Sequence, residues 1–272
     1  MNNTIKTILF WVLAFIITAT AAVYQKTTGP TYPKKAELKT NNNTYMLKLV
    51  RSHGGESDCP ICFVVGDNKI SAKLSYRQYP TNSEWTVVDM KREGDKLTGS
   101  LPHQPPAGKV EYKVDFYEDG TKLNAANEFY TITRFKGAVP GGILIPHIFF
   151  MFFAMMLSNF TAIMAFAKRE KAVFYGWLTL AFLTLGGMIF GPIVQLYAFG
   201  DLWTGVPFGW DLTDNKTLIA FVAWIAALLM YRKQKKLGWL IAAAVVLILI
   251  FSIPHSMFGS ELDYASGSVT QG

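Results

Sequence analysis

Only two cysteines, Cys59 and Cys62, and four histidines occur in the 272 residues, and only 17% of the side chains are charged. Two cysteines exclude a disulfide-dense secreted scaffold and a multi-ligand thiolate metal site. There is no glycine-rich phosphate loop, no serine elbow and no metalloprotease helix, so nucleotide-dependent and conventional hydrolytic chemistry are not expected. The long apolar runs also lack the repeated internal charges that a proton-coupled transporter or a channel uses. What the chain does have is apolar material, 51% of the residues, distributed unevenly along its length. Such unevenness separates a lipid-embedded part from an aqueous one. Much of the formal charge of +7 lies in short Lys/Arg clusters beside apolar runs. There it marks membrane topology and does not point to a nucleic-acid partner.

Residues 7–24 form a first apolar run behind Lys6, about long enough to cross a ~30 Å hydrocarbon core. Ala19, Ala21 and Ala22 suit a cleaved signal peptide, whereas the length and aromatic flanks suit a retained anchor. Either way the chain that follows is exported. From residue 30 to about 135 apolar and polar residues alternate, as in Thr44–Val50, Ile70–Arg77, Trp85–Met90 and Val110–Tyr117, which predicts strands. Gly94-Asp95, Pro105-Pro106-Ala107-Gly108 and Glu118-Asp119-Gly120 punctuate them. About seven strands fit this length, the count of a small antiparallel sandwich. The segments Leu74–Arg77, Trp85–Met90 and Leu101–Val114 resemble successive strands and a proline-rich turn of immunoglobulin-like or fibronectin-type domains. That resemblance implies a fold and says almost nothing about function.

After Lys136–Gly142, residues 143–167, 172–199, 217–231 and 237–253 are almost wholly apolar, and each is expected to span the membrane. The connectors Lys168–Lys171 and Arg232–Lys236 carry the positive charge of cytoplasmic loops. The fold class is therefore a polytopic α-helical membrane protein with five spanning helices and an exported all-β sandwich between the first and second. The divisions are 1–29, anchor or signal; 30–136, exported β-domain; 137–256, four-helix membrane domain; and 257–272, exported tail. A bacterial inner membrane, with the amino terminus cytoplasmic, fits this topology, and the lipid bilayer is the one implied partner besides other membrane or exported proteins.

With that orientation His147, the loop 200–216 and His255 share the outer face. Both histidines stand in the tripeptide Ile-Pro-His, at 145–147 and 253–255. Paired imidazoles at one depth suit a metal or the iron of a heme; histidine and proline are also ordinary at helix ends near an interface. Between them lies a loop with Trp203, Trp210 and Asp211. This loop, the following Leu218-Ile219 and the stretch Pro254–Gly259 resemble the heme-handling membrane proteins of cytochrome c biogenesis, whose tryptophan-rich loop lies between two exported histidines. The resemblance runs from His147 to Gly259, with a sparser loop, fewer helices and an inserted β-domain. It implies His147 and His255 as heme-iron ligands and Trp203, Trp210 and Asp211 as the heme platform. The same residues also fit an interfacial aromatic belt, with Asp214 capping a helix that starts near Thr217. Asp201, Asp211, Asp214, Glu261 and Asp263 allow a divalent cation as a further reading, although no metal spacing motif accompanies them, and Glu261 and Asp263 also suit pairing with Lys216 or exported basic residues.

Cys59-Pro-Ile-Cys62 has redox-motif spacing without the helix start such a motif needs, so a local disulfide is expected. Phe63 in place of histidine excludes covalent heme attachment there, and His53 leaves a metal site open. Asn42-Asn43-Thr44 fits a glycosylation sequon, and the run Phe149–Met156 receives no role. Two functions remain. One presents a heme or redox ligand at the outer face, in cytochrome biogenesis or as a respiratory accessory subunit. The other is a non-catalytic scaffold whose β-domain binds an exported partner while the helices anchor it or dock on a membrane complex.

Overall fold

The apolar runs fold as helices, because only a helix satisfies every backbone polar group within its own segment. The computed structural model describes residues 2–124, 127–255, 257 and 260–271. It divides into a helical unit, Met1–Pro30 with Val139–Gly259, and a β-rich unit, Thr31–Ala138 with Ser260–Thr270. In chain order a β-rich unit thus stands between the first helix and the rest, and residues 260–270 of the tail that the sequence sets apart belong to it.

In the helical unit α1 is Asn3–Thr28, α2 is Gly141–Phe166, and Ala172–Phe199 is one long helical run. α5 is Leu212–Gln234 and α6 is Gly238–Ser252. The long run is α3, Ala172–Leu183, then a π-helical segment, Thr184–Phe190, then α4, Gly191–Phe199. The wide turn stands immediately before Pro192. Pro192 has no N–H and its ring crowds the preceding turn, so widening that turn relieves the clash.

Four helices, α1, α2, Ala172–Phe199 and α5, are long and apolar enough to cross a membrane. α6 has 15 residues, about 22 Å at 1.5 Å per residue, and is shorter than the run 237–253 predicts. α1 packs as a member of the bundle: Ala14 and Thr18 are buried, Asn159 Nδ2 donates to Thr18 Oγ1 at 2.9 Å, and Trp11 stacks on Phe160. α2 packs against α1, α3 and α6, while α5 packs on α6 and α3.

In the β-rich unit the alternation produces β1 (Lys34–Lys39), β2 (Thr44–Leu49), β3 (Ser52–Gly54), β4 (Cys59–Val64) and β5 (Ile70–Tyr79). β6 (Thr86–Asp89), β7 (Lys91–Glu93), β8 (Lys96–Leu101), β9 (Lys109–Glu118), β10 (Thr121–Lys122) and β11 (Tyr130–Lys136) follow. The largest sheet runs β3-β11-β9-β5-β6, with β10 on β9; β4-β8-β7 and β1-β2 form smaller sheets. One core, including Leu38, Leu49, Ile61, Phe63, Leu74, Leu97, Tyr112, Phe116 and Phe135, draws on strands of all three sheets. An apolar layer shared by facing sheets is compatible with a β-sandwich. The tail adds a separate hairpin, β12 (Ser260–Leu262) with β13 (Val269–Gln271).

The two cysteines are not joined. Both lie on β4, where burial alternates strictly, so Cys59 faces the core and Cys62 the solvent. Positions three apart on a strand point to opposite faces, which corrects the expected disulfide. Burial pushes the Cys59 thiol up to about 11, away from the thiolate a redox motif requires.

Candidate functional site

Pro146 sits early in α2 and His147 follows it, half-buried. Its Nδ1 lies 2.9 Å from the carbonyl oxygen of Gly186 in the π-helical segment. A carbonyl only accepts, so Nδ1 carries the proton and Nε2 of the neutral ring keeps the lone pair. The partner carbonyl belongs to the widened turn, a type of distortion frequent at functional sites.

Two glycines let α2 and α5 approach this turn. A Cβ added to Gly186 would lie 2.8 Å from Phe150 Cβ, and one added to Gly187 would lie 2.6 Å from Thr217 Cγ2. No side chain larger than hydrogen fits without displacement. Thr217 is fixed in turn, its hydroxyl donating to Thr213 O at 3.1 Å.

Lys216, next to Thr217, is only 2% exposed. Its ammonium donates to the carbonyls of Ile253 and Pro254, at 2.8 and 3.2 Å. These carbonyls lie just past the last turn of α6, where the helix stops because Pro254 has no N–H to continue it. The terminal carbonyls of a helix need partners from outside. Gln25 of α1 supplies another, donating to Phe251 O at 2.6 Å and Ile253 O at 3.4 Å. A cation at a helix carboxyl end also matches the helix dipole. His255 follows directly and is exposed. Consecutive residues of α5 therefore reach both histidine neighbourhoods: Thr217 touches the turn that holds His147, and Lys216 holds the turn that precedes His255.

The loop between α4 and α5 is built from inward-facing polar groups. Asp211, 3% exposed, caps α5, its Oδ1 accepting from the N–H groups of Thr213 and Asp214 at 2.8 and 3.2 Å. α5 thus starts at Leu212, and the expected cap at Asp214 before Thr217 is corrected; Asp214, in the first turn, has another task. Its Oδ2 accepts from Thr204 N and Oγ1, at 2.7 and 3.2 Å, while Asn215 Oδ1 accepts from Val206 N at 2.8 Å. Gln195 of α4 donates to Thr204 Oγ1 at 2.9 Å. Gly205 fits because any Cβ there would meet Asp214 Cβ at 2.8 Å. Trp203 is half-buried with its indole N–H donated to Val206 O at 3.1 Å. Phe208 and Trp210 turn outward, 82% and 79% exposed.

The five carboxylates have separate roles. Asp211 and Asp214 serve the loop, Asp201 is exposed, and Glu261 and Asp263 belong to the β-rich unit. Among the described residues no group of three or more His, Cys, Asp or Glu side chains is placed to hold a metal ion. His53 Nε2 bonds within its own turn, to Ser57 O at 2.9 Å, and packs edge-on to Phe135. Glu261 pairs with a base of its own β-rich unit: Lys109 Nζ lies 3.1 Å from Glu261 Oε1. Ser256, Phe258 and Gly259 of the Pro254–Gly259 stretch lie outside the described residues.

Gln195, Gln25, the glycines at 186, 187 and 205, and the carbonyl-holding role of Lys216 escape sequence reasoning. A lysine opening an apolar helix is itself a signal, because a charge at that depth needs a partner. So is Gly186-Gly187 before Gly191-Pro192 in one apolar run. Compared with family models, with curated proteins and with solved structures, the chain finds no match.

Proposed function

We propose that this chain is an integral membrane protein with five crossings that presents a heme or similar planar redox ligand at the exported end of its helical unit, held by His147 and His255. The observation that carries the reading is the hydrogen bond from His147 Nδ1 to Gly186 O, 2.9 Å long. It orients the ring and leaves Nε2 as a lone-pair donor, the arrangement in which ligating histidines are held by a bond at their other nitrogen. His255 supplies a second imidazole next to the turn pinned by Lys216 and Gln25. Bound heme would supply one-electron chemistry.

Imidazoles are ligands of the kind that group takes; the expected platform offers it less. Asp211 is engaged as a helix cap, the Trp203 indole N–H is held by Val206 O, and Trp210 points outward. The proposal therefore rests on the two histidines and not on the loop.

The tail supports this number of crossings. Residues 260–270 dock within the β-rich unit, so tail and β-domain share one side of the bilayer. An even number of crossings must then separate residue 139 from residue 260. α2, the run Ala172–Phe199 and α5 contribute three, so α6 supplies the fourth despite its length. A short span is accommodated by local thinning of the bilayer and snorkelling of flanking residues such as Lys235 and Lys236. The basic connectors then face the cytoplasm of a bacterial inner membrane, and the sandwich, of immunoglobulin-like type, faces the exported side.

Absorbance spectra of the detergent-purified chain after heme supplementation test the reading. A Soret band that shifts or weakens in His147→Ala and in His255→Ala is expected; wild-type protein without a Soret band would overturn it. A second reading, the scaffold that docks on an exported or membrane partner, draws support from the aromatic rings of Phe208 and Trp210, which the loop turns outward. Under it, a stoichiometric partner co-purifies and survives alanine at both histidines.

A further inference from the structure

The open face of the large sheet carries a basic and aromatic lattice. In register across β5, β9 and β11 stand Tyr79, Lys109 and Arg134, next to Arg77, Glu111 and Ile132, and Ser75, Lys113 and Tyr130. Arg77 and Glu111 form an ion pair of 2.5 Å, Tyr130 donates to Glu111 Oε2 at 2.6 Å, and Arg77 and Lys113 each lie 4.7 Å from the Trp85 ring centroid. Charges in that inner part of the lattice are matched internally. At the Tyr79–Lys109–Arg134 edge the matching groups come from the tail instead.

The contacts follow one extended segment residue by residue. The Arg134 guanidinium donates to Ser260 O. Lys109 Nζ, 5.9 Å from the Tyr79 ring centroid, pairs with Glu261 at 3.1 Å. Leu262 is buried and its N–H donates to Ala107 O at 3.2 Å. The Tyr264 hydroxyl donates to Lys109 O at 2.8 Å and accepts from Lys109 N at 3.0 Å. Asp263 closes the tail's own turn through Ala265 N and Ser266 Oγ. Among the described residues β12 pairs with β13 and joins none of the domain's other sheets. Among the described residues the segment is therefore held by side-chain contacts and by the backbone bond to Ala107, as a bound peptide is, and not by a strand ladder.

We propose that the Lys109–Arg134 edge is a recognition slot for extended acidic peptide segments of the form Glu-apolar-x-Tyr on an exported partner, and that the chain's own tail is its resident, displaceable occupant. The pattern is fixed by what each element offers: an ammonium for the carboxylate, a burial site for the apolar residue, and a backbone donor–acceptor pair for the phenol. Covalent attachment gives the tail an effective concentration of order mM. A free peptide of the same sequence must therefore compete poorly until the tail is weakened. The proposal does not depend on the histidine site.

The test uses the detergent-solubilised full chain and a fluorescent synthetic peptide of residues 260–270, followed by anisotropy. Glu261→Lys with Tyr264→Ala in the chain is expected to raise peptide affinity at least about tenfold over wild type, by removing the tethered competitor. A peptide carrying the same two changes should not bind. Adding Lys109→Glu to the tail-weakened chain should abolish binding of the natural peptide and restore it for a peptide with only Glu261→Lys. Equal, weak binding by wild-type and tail-weakened chains of unchanged circular dichroism would overturn the proposal, as would binding indifferent to Lys109→Glu.

Discussion

The helical and β-rich units solve burial in opposite ways. In the helical unit the end that carries the candidate site is assembled by missing side chains: Gly186, Gly187 and Gly205 bring backbones and threonines together, and the polar groups beside them are satisfied largely by carbonyls and amides. The β-rich unit is assembled by large apolar side chains on the inner face, with charges matched to charges on the outer one. Within a bilayer association gains little from apolar burial, so close backbone approach and hydrogen bonding take over. In water the alternating strand has burial available and leaves its outer face for charge. A change of volume should therefore matter most at a helical glycine, and a change of charge most at the outer sheet face.

The largest expected effect is at Gly187. Valine there would drive Cβ to within 2.6 Å of Thr217 Cγ2, at a cost of about 3 kcal/mol from overpacking. Adding Thr217→Ser, which deletes only that methyl, should recover part of the loss in a thermal melt in detergent. The counterpart in the β-rich unit is Gly99→Ala, whose Cβ would lie 3.1 Å from Leu74 Cδ2 and 3.6 Å from Met90 Cε. The Leu74 methyl need move only a few tenths of an ångström and Met90 is already at ordinary contact distance, so the expected cost is about 1 kcal/mol, the low end of overpacking. Equal losses at the two glycines would break the comparison.

Next in size is Lys216→Met, which leaves the Pro254 carbonyl without the lysine donor and the Ile253 carbonyl with only the longer bond from Gln25. A loss of about 2 kcal/mol follows from the unmade bonds. Because Gln25 and Lys216 share Ile253 O, the double variant with Gln25→Leu should be non-additive, which melting of the four proteins of the cycle measures. Asp211→Ala ranks third, at about 1 kcal/mol for a lost cap. Asp211→Asn should retain most of that stability. A melt in which asparagine falls as far as alanine would mean that the carboxylate charge does more than cap the helix.

How much of this the sequence makes legible differs between the units for the same physical reason. The spans stand out because ~20 apolar residues have few other homes, and the strands at 44–49, 70–79 and 109–118 because alternation exposes their period. Within a uniformly apolar run no period marks the turn where Thr184–Phe190 widens, so the Gly186 carbonyl that holds His147 stays hidden. Asp211 and Asp214 both satisfy the rule for a helix cap, and only the loop amides that Asp214 accepts decide between them. The unjoined cysteines are deducible in principle, since a strand through 59–64 must part residues three apart. The tail is not, because its partners Ala107, Lys109 and Arg134 are more than a hundred residues away in sequence and meet it only once the sheet exists.

The smallest expected effect concerns the tail's phenol. Burial pushes the Tyr264 hydroxyl up to about 12, with the Glu261 charge adding to the rise and the Lys109 backbone bond opposing it. Its ordinary value is about 10. A group raised in the docked state contributes its full share below the free value and loses it as pH climbs through the docked one, because the phenolate must then be buried beside a carboxylate. Tail docking should thus be flat below about pH 10 and loosen between about 10 and 12. With Cys62→Ser removing the exposed native thiol, a fluorophore on Ser268→Cys reports that loosening as falling anisotropy. Tyr264→Phe should dock more weakly throughout and show no step in this window, since it cannot ionise. A step of the same midpoint in the phenylalanine variant would assign the transition to another group and remove Tyr264 from the anchor.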